Sequence, residues 1–207
     1  MKKTQLFTLA TLPIIALLCY LVVNSVKSKI DEDVAIKKSE EKVRKRLIEI
    51  REAEKAFQSV HKYYTSNWDS LINFVETGVV FNVQKREIIT TRPPEKSHLG
   101  DSVRIVYDTL GSDPVMTKIF PKDKFQGFDP KQLPFIPGLD GKKFAISTGK
   151  KKVGKTGINE VLVDVIEVVD PYPVDKTRSD KNDIVRRKFL RFGSMTEISL
   201  SGNWEDN

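Results

Sequence analysis

The chain has 207 residues, with 35 Lys and Arg against 28 Asp and Glu, two His and one Cys. A single thiol excludes a disulfide scaffold, and one Cys with two His excludes a zinc site of Cys/His type. At 39% hydrophobic and 30% charged residues, neither a polytopic membrane protein nor wholesale disorder fits, which leaves one domain, or a small domain with appendages.

The net charge of +7 divides into +2 over residues 1–26, +2 over 27–60, −1 over 61–81 and +4 over 82–207, so it is spread too thinly for a nucleic-acid footprint. Leu6 to Val23 runs eighteen residues without a charge, and the uncharged stretch extends from Thr4 to Val26. At about 1.5 Å per residue that is long enough to cross a hydrocarbon core of about 30 Å. Residues 1–26 therefore read as a retained single-pass anchor, with a cleaved signal peptide as the alternative. Val23-Asn24-Ser25 is a poor cleavage site. Leu18 is too bulky for the residue before a lipidated Cys19, and Pro13 is expected to kink the span. Lys2 and Lys3 with the terminal amine nearly balance Lys27, Lys29, Lys37 and Lys38. The short basic start resembles a signal-anchor, which leaves the N-terminus in the cytoplasm and sends the rest across the inner membrane, to the periplasmic side.

From Ser28 to Tyr64 there is neither Pro nor Gly, and strong helix formers dominate, so residues 27–65 are expected to form a helical stalk. Its apolar positions Val43, Leu47, Ile50, Ala53, Phe57, Val60 and Tyr64 are spaced 4, 3, 3, 4, 3 and 4 apart, a narrow stripe along one face. Such a stripe needs cover. Two readings remain open: packing on the protein's own domain over residues 47–64, or a coiled-coil contact with another envelope protein or another copy of the chain. Val43, Leu47, Ile50, Ala53, Phe57 and Val60 are the candidate partner contacts.

Residues 66–207 are expected to form an α+β domain. Ser66 and Asp69 have capping-box spacing and Gly78 supplies a stop, which marks a short helix between them. Strands are expected at Arg86–Thr90, Val103–Tyr107, Val115–Phe120, Lys143–Ser147 and Val161–Val169, mainly antiparallel and separated by Gly and Pro clusters. Phe128–Gly141 reads as a loop, and Ile184–Phe192 as a possible terminal helix.

Gly149-Lys150-Lys151-Lys152-Val153-Gly154-Lys155-Thr156 fits the G-x-x-x-x-G-K-[ST] phosphate loop at every fixed position. That loop must enter a helix, yet Gly157 follows and Val161 to Ile166 is rich in β-branched residues. A β-hairpin is the better physical account, and no cofactor is expected. Two basic clusters, Lys150, Lys151, Lys152 and Lys155, and Arg186, Arg187 and Lys188 with Arg191, are candidate contacts for an anionic ligand such as envelope polysaccharide. No arrangement of paired carboxylates, Ser/His/Asp or Cys/His can be drawn, His98 lies in a Pro-rich turn, and no alternating acidic loop suits calcium.

Tyr64-Thr65-Ser66-Asn67-Trp68-Asp69-Ser70-Leu71-Ile72 follows a helix carrying Ile50-Arg51-Glu52-Ala53-Glu54, and the chain closes with Phe192-Gly193-Ser194-Met195 and Gly202-Asn203-Trp204-Glu205. With the N-terminal apolar run, these stretches resemble a family of uncharacterised bacterial single-pass envelope proteins. The resemblance implies no activity and no site residues. In layout the chain is also similar to the inner-membrane assembly proteins of type IV pilus and type II secretion machines, an architectural analogy. Met1-Lys2-Lys3-Thr4-Gln5-Leu6-Phe7 lacks the processing site of a pilin. The expected function is that of a non-enzymatic, membrane-anchored interaction or assembly component that contacts the lipid bilayer and protein partners, not nucleic acid.

Overall fold

The computed structural model describes residues 3–90, 102–155 and 158–205, with side chains excepted at 3–12, 14, 102, 155, 158 and 159. Its architecture is α+β, a long N-terminal helix with two small antiparallel sheets. Helix α1 spans Lys3–His61. Pro13 sits inside it without ending it, and the absence of further Pro or Gly lets it run for 59 residues, about 90 Å. It stops at Lys62, a non-glycine residue at φ 68° whose N–H still reaches Gln58 O at 2.8 Å.

Helix α2, Trp68–Thr77, follows. Its cap is Asn67 rather than the expected Ser66: the Asn67 carboxamide oxygen accepts from Asp69 N at 2.9 Å and Ser70 N at 3.3 Å. Gly78 ends the helix where a Cβ would lie 2.6 Å from the Phe74 ring, too close for any other residue.

The first sheet is a hairpin of β1, Val79–Thr90, and β2, Ser102–Pro114, in register from Val79↔Pro114 to Thr90↔Ser102 with an irregularity at Asn82/Val83. The expected strand over Val115–Phe120 is instead a single helical turn, α3, Val115–Lys118. Pro114, at φ −58°, has no N–H to continue the ladder, and buried Val115 donates its own to Gly78 O at 3.0 Å. The second sheet has the order β3-β4-β5, from Ala145–Lys155, Ile158–Val169 and Arg191–Gly193. The terminal helix expected over Ile184–Phe192 does not form. A 3-10 turn at Val185–Arg187 leads into β5, because side chains capture the carbonyls a helix would use. Asn203 Nδ2 donates to Val185 O and Phe189 O at 3.1 and 2.9 Å, and Arg178 Nη1 to Arg186 O and Lys188 O at 2.7 and 2.9 Å.

The core settles what covers the stalk stripe. Val43, Leu47, Ile50, Ala53 and Phe57 are between 0% and 4% exposed and share one cluster with Leu71 and Val75 of α2, Val115, Leu133, Phe144, Ile166, Val168 and Phe192, while Val60 packs half-buried at its margin. The stripe is the domain's own core, so these six residues are corrected from candidate partner contacts to internal packing. The compact unit accordingly reaches back to about residue 40 of α1 instead of beginning at 66.

A buried ion pair fastens the helix to the C-terminal segment. Glu40, 8% exposed, receives Arg178 on both carboxylate oxygens, through a short contact from Nε and through Nη2 at 2.9 Å, and receives Arg44 Nη2 at 3.1 Å. Arg178→Ala leaves Glu40 with Arg44 alone and frees two carbonyls at once, so it is expected to cost about 2–3 kcal/mol. Urea denaturation checks this, and a loss below 1 kcal/mol would show that the pair fastens nothing.

Candidate interaction surfaces

The phosphate-loop reading fails on backbone geometry. Gly149 to Lys155 is extended strand, paired from Gly149↔Val165 to Lys155↔Ile158, and no helix follows it, whereas Thr156 lies outside the described residues. The hairpin expected from the β-branched run is what forms. Alternation along β3 sends Lys150 and Lys152 to one face and Lys151 to the other, so the lysine run is not a one-sided anion patch. Lys152 pairs with Glu160 at 3.5 Å, Lys150 stands opposite Asp164, and Lys151 Nζ donates to Thr196 O. The Lys155 side chain is outside the described set.

In the second cluster Arg186 and Arg187 are exposed and Lys188 half-buried. Arg191 is already neutralised by Glu167 at 3.1 Å and by Asp180. It lines a polar recess of about 400 Å³ with Lys188, Ser194, Thr196 and Asn203, where the cation nearest the strand is spent on internal carboxylates. His98 lies outside the described residues. Among the described residues no group of three or more His, Cys, Asp and Glu is placed to hold a metal ion.

Two exposed apolar surfaces stand out, and alternating spacing alone did not separate them from ordinary strand and helix. The first is α1 before residue 40. Ile15, Leu17, Leu18, Tyr20, Leu21, Val22, Val23 and Val26 are all more than half exposed, and exposed Ile30 and Val34 continue along the helix. Among the described residues no helix is long and apolar enough to cross a membrane. The expected span Leu6–Val23 includes residues 6–12 and 14, whose side chains lie outside the described set.

The second surface is the β1–β2 hairpin. No side chain of β1 is buried, and among the described residues the outer edge of each strand pairs with no other strand. Strand alternation puts Phe81, Val83, Lys85, Glu87 and Ile89 on one face, with Val103, Ile105 and Tyr107 across from them. The pairing of Lys85 Nζ with Glu87 Oε1 at 3.0 Å follows from that shared face, and Arg86 meets Asp108 on the other. At its root the hairpin and the last turn of α1, Ser59 to Lys62, enclose a groove of about 610 Å³ lined by Val80, Phe81, Val83 and Tyr107.

A buried acid lies beneath the α1–α2 turn. Glu54 is 1% exposed; its Oε2 accepts Thr65 N at 3.1 Å, and its Oε1 has no hydrogen-bond partner. Burial pushes its carboxyl up to about 8, against the smaller opposing pull of the Thr65 N–H. Nearby Tyr64 is raised by its own burial and then by the Glu54 charge.

No family model, curated protein or solved structure matches the chain.

Proposed function

We propose that the chain is a membrane-anchored, non-enzymatic interaction or assembly component of the bacterial cell envelope. Its apolar N-terminal helix holds an α+β domain at the inner membrane, on the periplasmic side. What carries the reading is the continuous exposure of apolar side chains from Ile15 to Val26, on a helix that continues an uncharged run beginning at Thr4. Water is a poor solvent for such a surface, since each large aliphatic side chain taken out of it is worth about 1.5–3 kcal/mol. The long helix then sets the domain away from the bilayer. The buried stripe moves the contact role from the stalk to the hairpin, whose exposed apolar face is a surface for protein partners.

The test is extraction and topology. The full chain is expected to stay with membranes through alkaline carbonate, and a cysteine at exposed Lys122 in a Cys19→Ser background to react with an impermeant thiol reagent in intact spheroplasts. Release by carbonate would refute the anchor. Retention without labelling would place the domain on the cytoplasmic side.

A further inference from the structure

We propose that the apolar face of the β1–β2 hairpin is a self-association surface whose occupant is the same face of a second copy of this chain. The inference names the partner of the interaction protein proposed above and rests on that reading.

An isolated two-stranded hairpin is marginal in water, and among the described residues only the last turn of α1, at the root, approaches the face that carries its apolar side chains. Phe81, Val83, Ile89, Val103, Ile105 and Tyr107 are each between 46% and 66% exposed. Without Phe81, which the pairing below sets opposite residue 91, outside the described residues, they present on the order of 500 Å² of area, so two such faces bury on the order of 1,000 Å², the least that a specific interface clears.

The order of residues selects the occupant. Along β1 the face reads Val83, Lys85, Glu87, Ile89, and the residues paired with them on β2 are Thr109, Tyr107, Ile105 and Val103. A two-fold axis lying across the strands at the level of Arg86 and Val106 turns each strand antiparallel over its own copy. Val83 then meets Ile89 of the second copy, Lys85 meets Glu87, Tyr107 meets Ile105, and Thr109 meets Val103. Apolar side chains fall on apolar ones except where Val103 meets Thr109, and each charge falls on its opposite, as an isologous interface requires. A lipid surface or a wholly apolar partner would instead bury the Lys85–Glu87 pair with no charge-bearing contact beyond its own 3.0 Å bond. The opposite face of the hairpin carries only Ile88 and Val106 among Gln84, Arg86, Arg104 and Asp108, a smaller apolar area broken by charge.

The full chain in detergent, with Cys19→Ser, is weighed by sedimentation equilibrium. Wild type is expected to be dimeric and Ile105→Asp monomeric with an unchanged circular dichroism spectrum, while Ile88→Asp on the opposite face remains dimeric. Lys85→Glu and Glu87→Lys are each expected to weaken the dimer by roughly tenfold or more, and an equimolar mixture of the two to recover it as a heterodimer, since one face then carries two acids and the other two bases. A monomeric wild type, a dimer that survives Ile105→Asp, or a mixture that does not recover would each overturn the proposal. Carbonate extraction of the same membranes separates the two readings. A retained monomer defeats the pairing alone, and a released dimer defeats the anchor alone.

Discussion

Leu47→Asp is expected to leave no folded domain. Leu47 is 0% exposed on α1 and sits in the same cluster as Ile50, Leu71, Val75 and Phe192. Removing its side chain from the core forfeits about 2–5 kcal/mol, and a carboxylate put in its place must either lose its charge or keep it without a partner, for several more. The sum, roughly 5–10 kcal/mol, is as large as the whole stability of many ordinary domains, about 5–15 kcal/mol. Ile30→Asp, on the exposed stretch of the same helix, is expected to change stability by less than about 0.5 kcal/mol. Near-ultraviolet circular dichroism and limited proteolysis of the two variants check the contrast. A folded Leu47→Asp with wild-type protease resistance would return the stripe to an external partner. Any association lost in that variant would report unfolding rather than a broken interface, so contacts are better tested on the hairpin.

The sequence displayed the stripe but not its cover. A 3.5-residue period over Val43, Leu47, Ile50, Ala53 and Phe57 is the same whether a second helix or the chain's own sheets lie against it. What decides it is far off in sequence: Glu40 meets Arg178 across 138 positions, and Arg51 meets Glu205 at 2.7 Å across 154. The antiparallel β3–β4 hairpin was legible because Gly157 and the β-branched run after it contradict a helix, which outweighs the eight-residue motif match. At Val115 and at Ile184–Phe192 local propensity misled, since Pro114 ended one strand and the Asn203 and Arg178 side chains took the carbonyls of the expected helix. The self-complementary order of the hairpin face needed the register, because only the pairing of Lys85 with Tyr107 and of Glu87 with Ile105 shows which residues a second copy would meet. Glu54, one acid in a charged helix, carries no mark of its burial in the sequence.

Glu54→Gln is expected to stabilise the domain at alkaline pH and to flatten its pH dependence. The Glu54 carboxyl ionises near 4.5 when unfolded and at about 8 when folded, so the folded state holds its proton more tightly. The advantage is fully present below about 4.5 and is lost as pH rises through about 8, at about 1.4 kcal/mol per pH unit across that window. The full difference is on the order of 4–5 kcal/mol. Glutamine keeps the acceptor for Thr65 N and cannot ionise, and its amide group occupies the place of the unpartnered Oε1, where the protonated acid already stands. The variant is therefore expected to match wild type near pH 4.5 and to exceed it by a few kcal/mol at pH 8.5. Glu49 and Asp170, also raised by burial, leave a residual slope of the same sign. Urea midpoints of both proteins at the two pH values measure the difference, and parallel slopes would mean that Glu54 meets water or a cation in the folded chain.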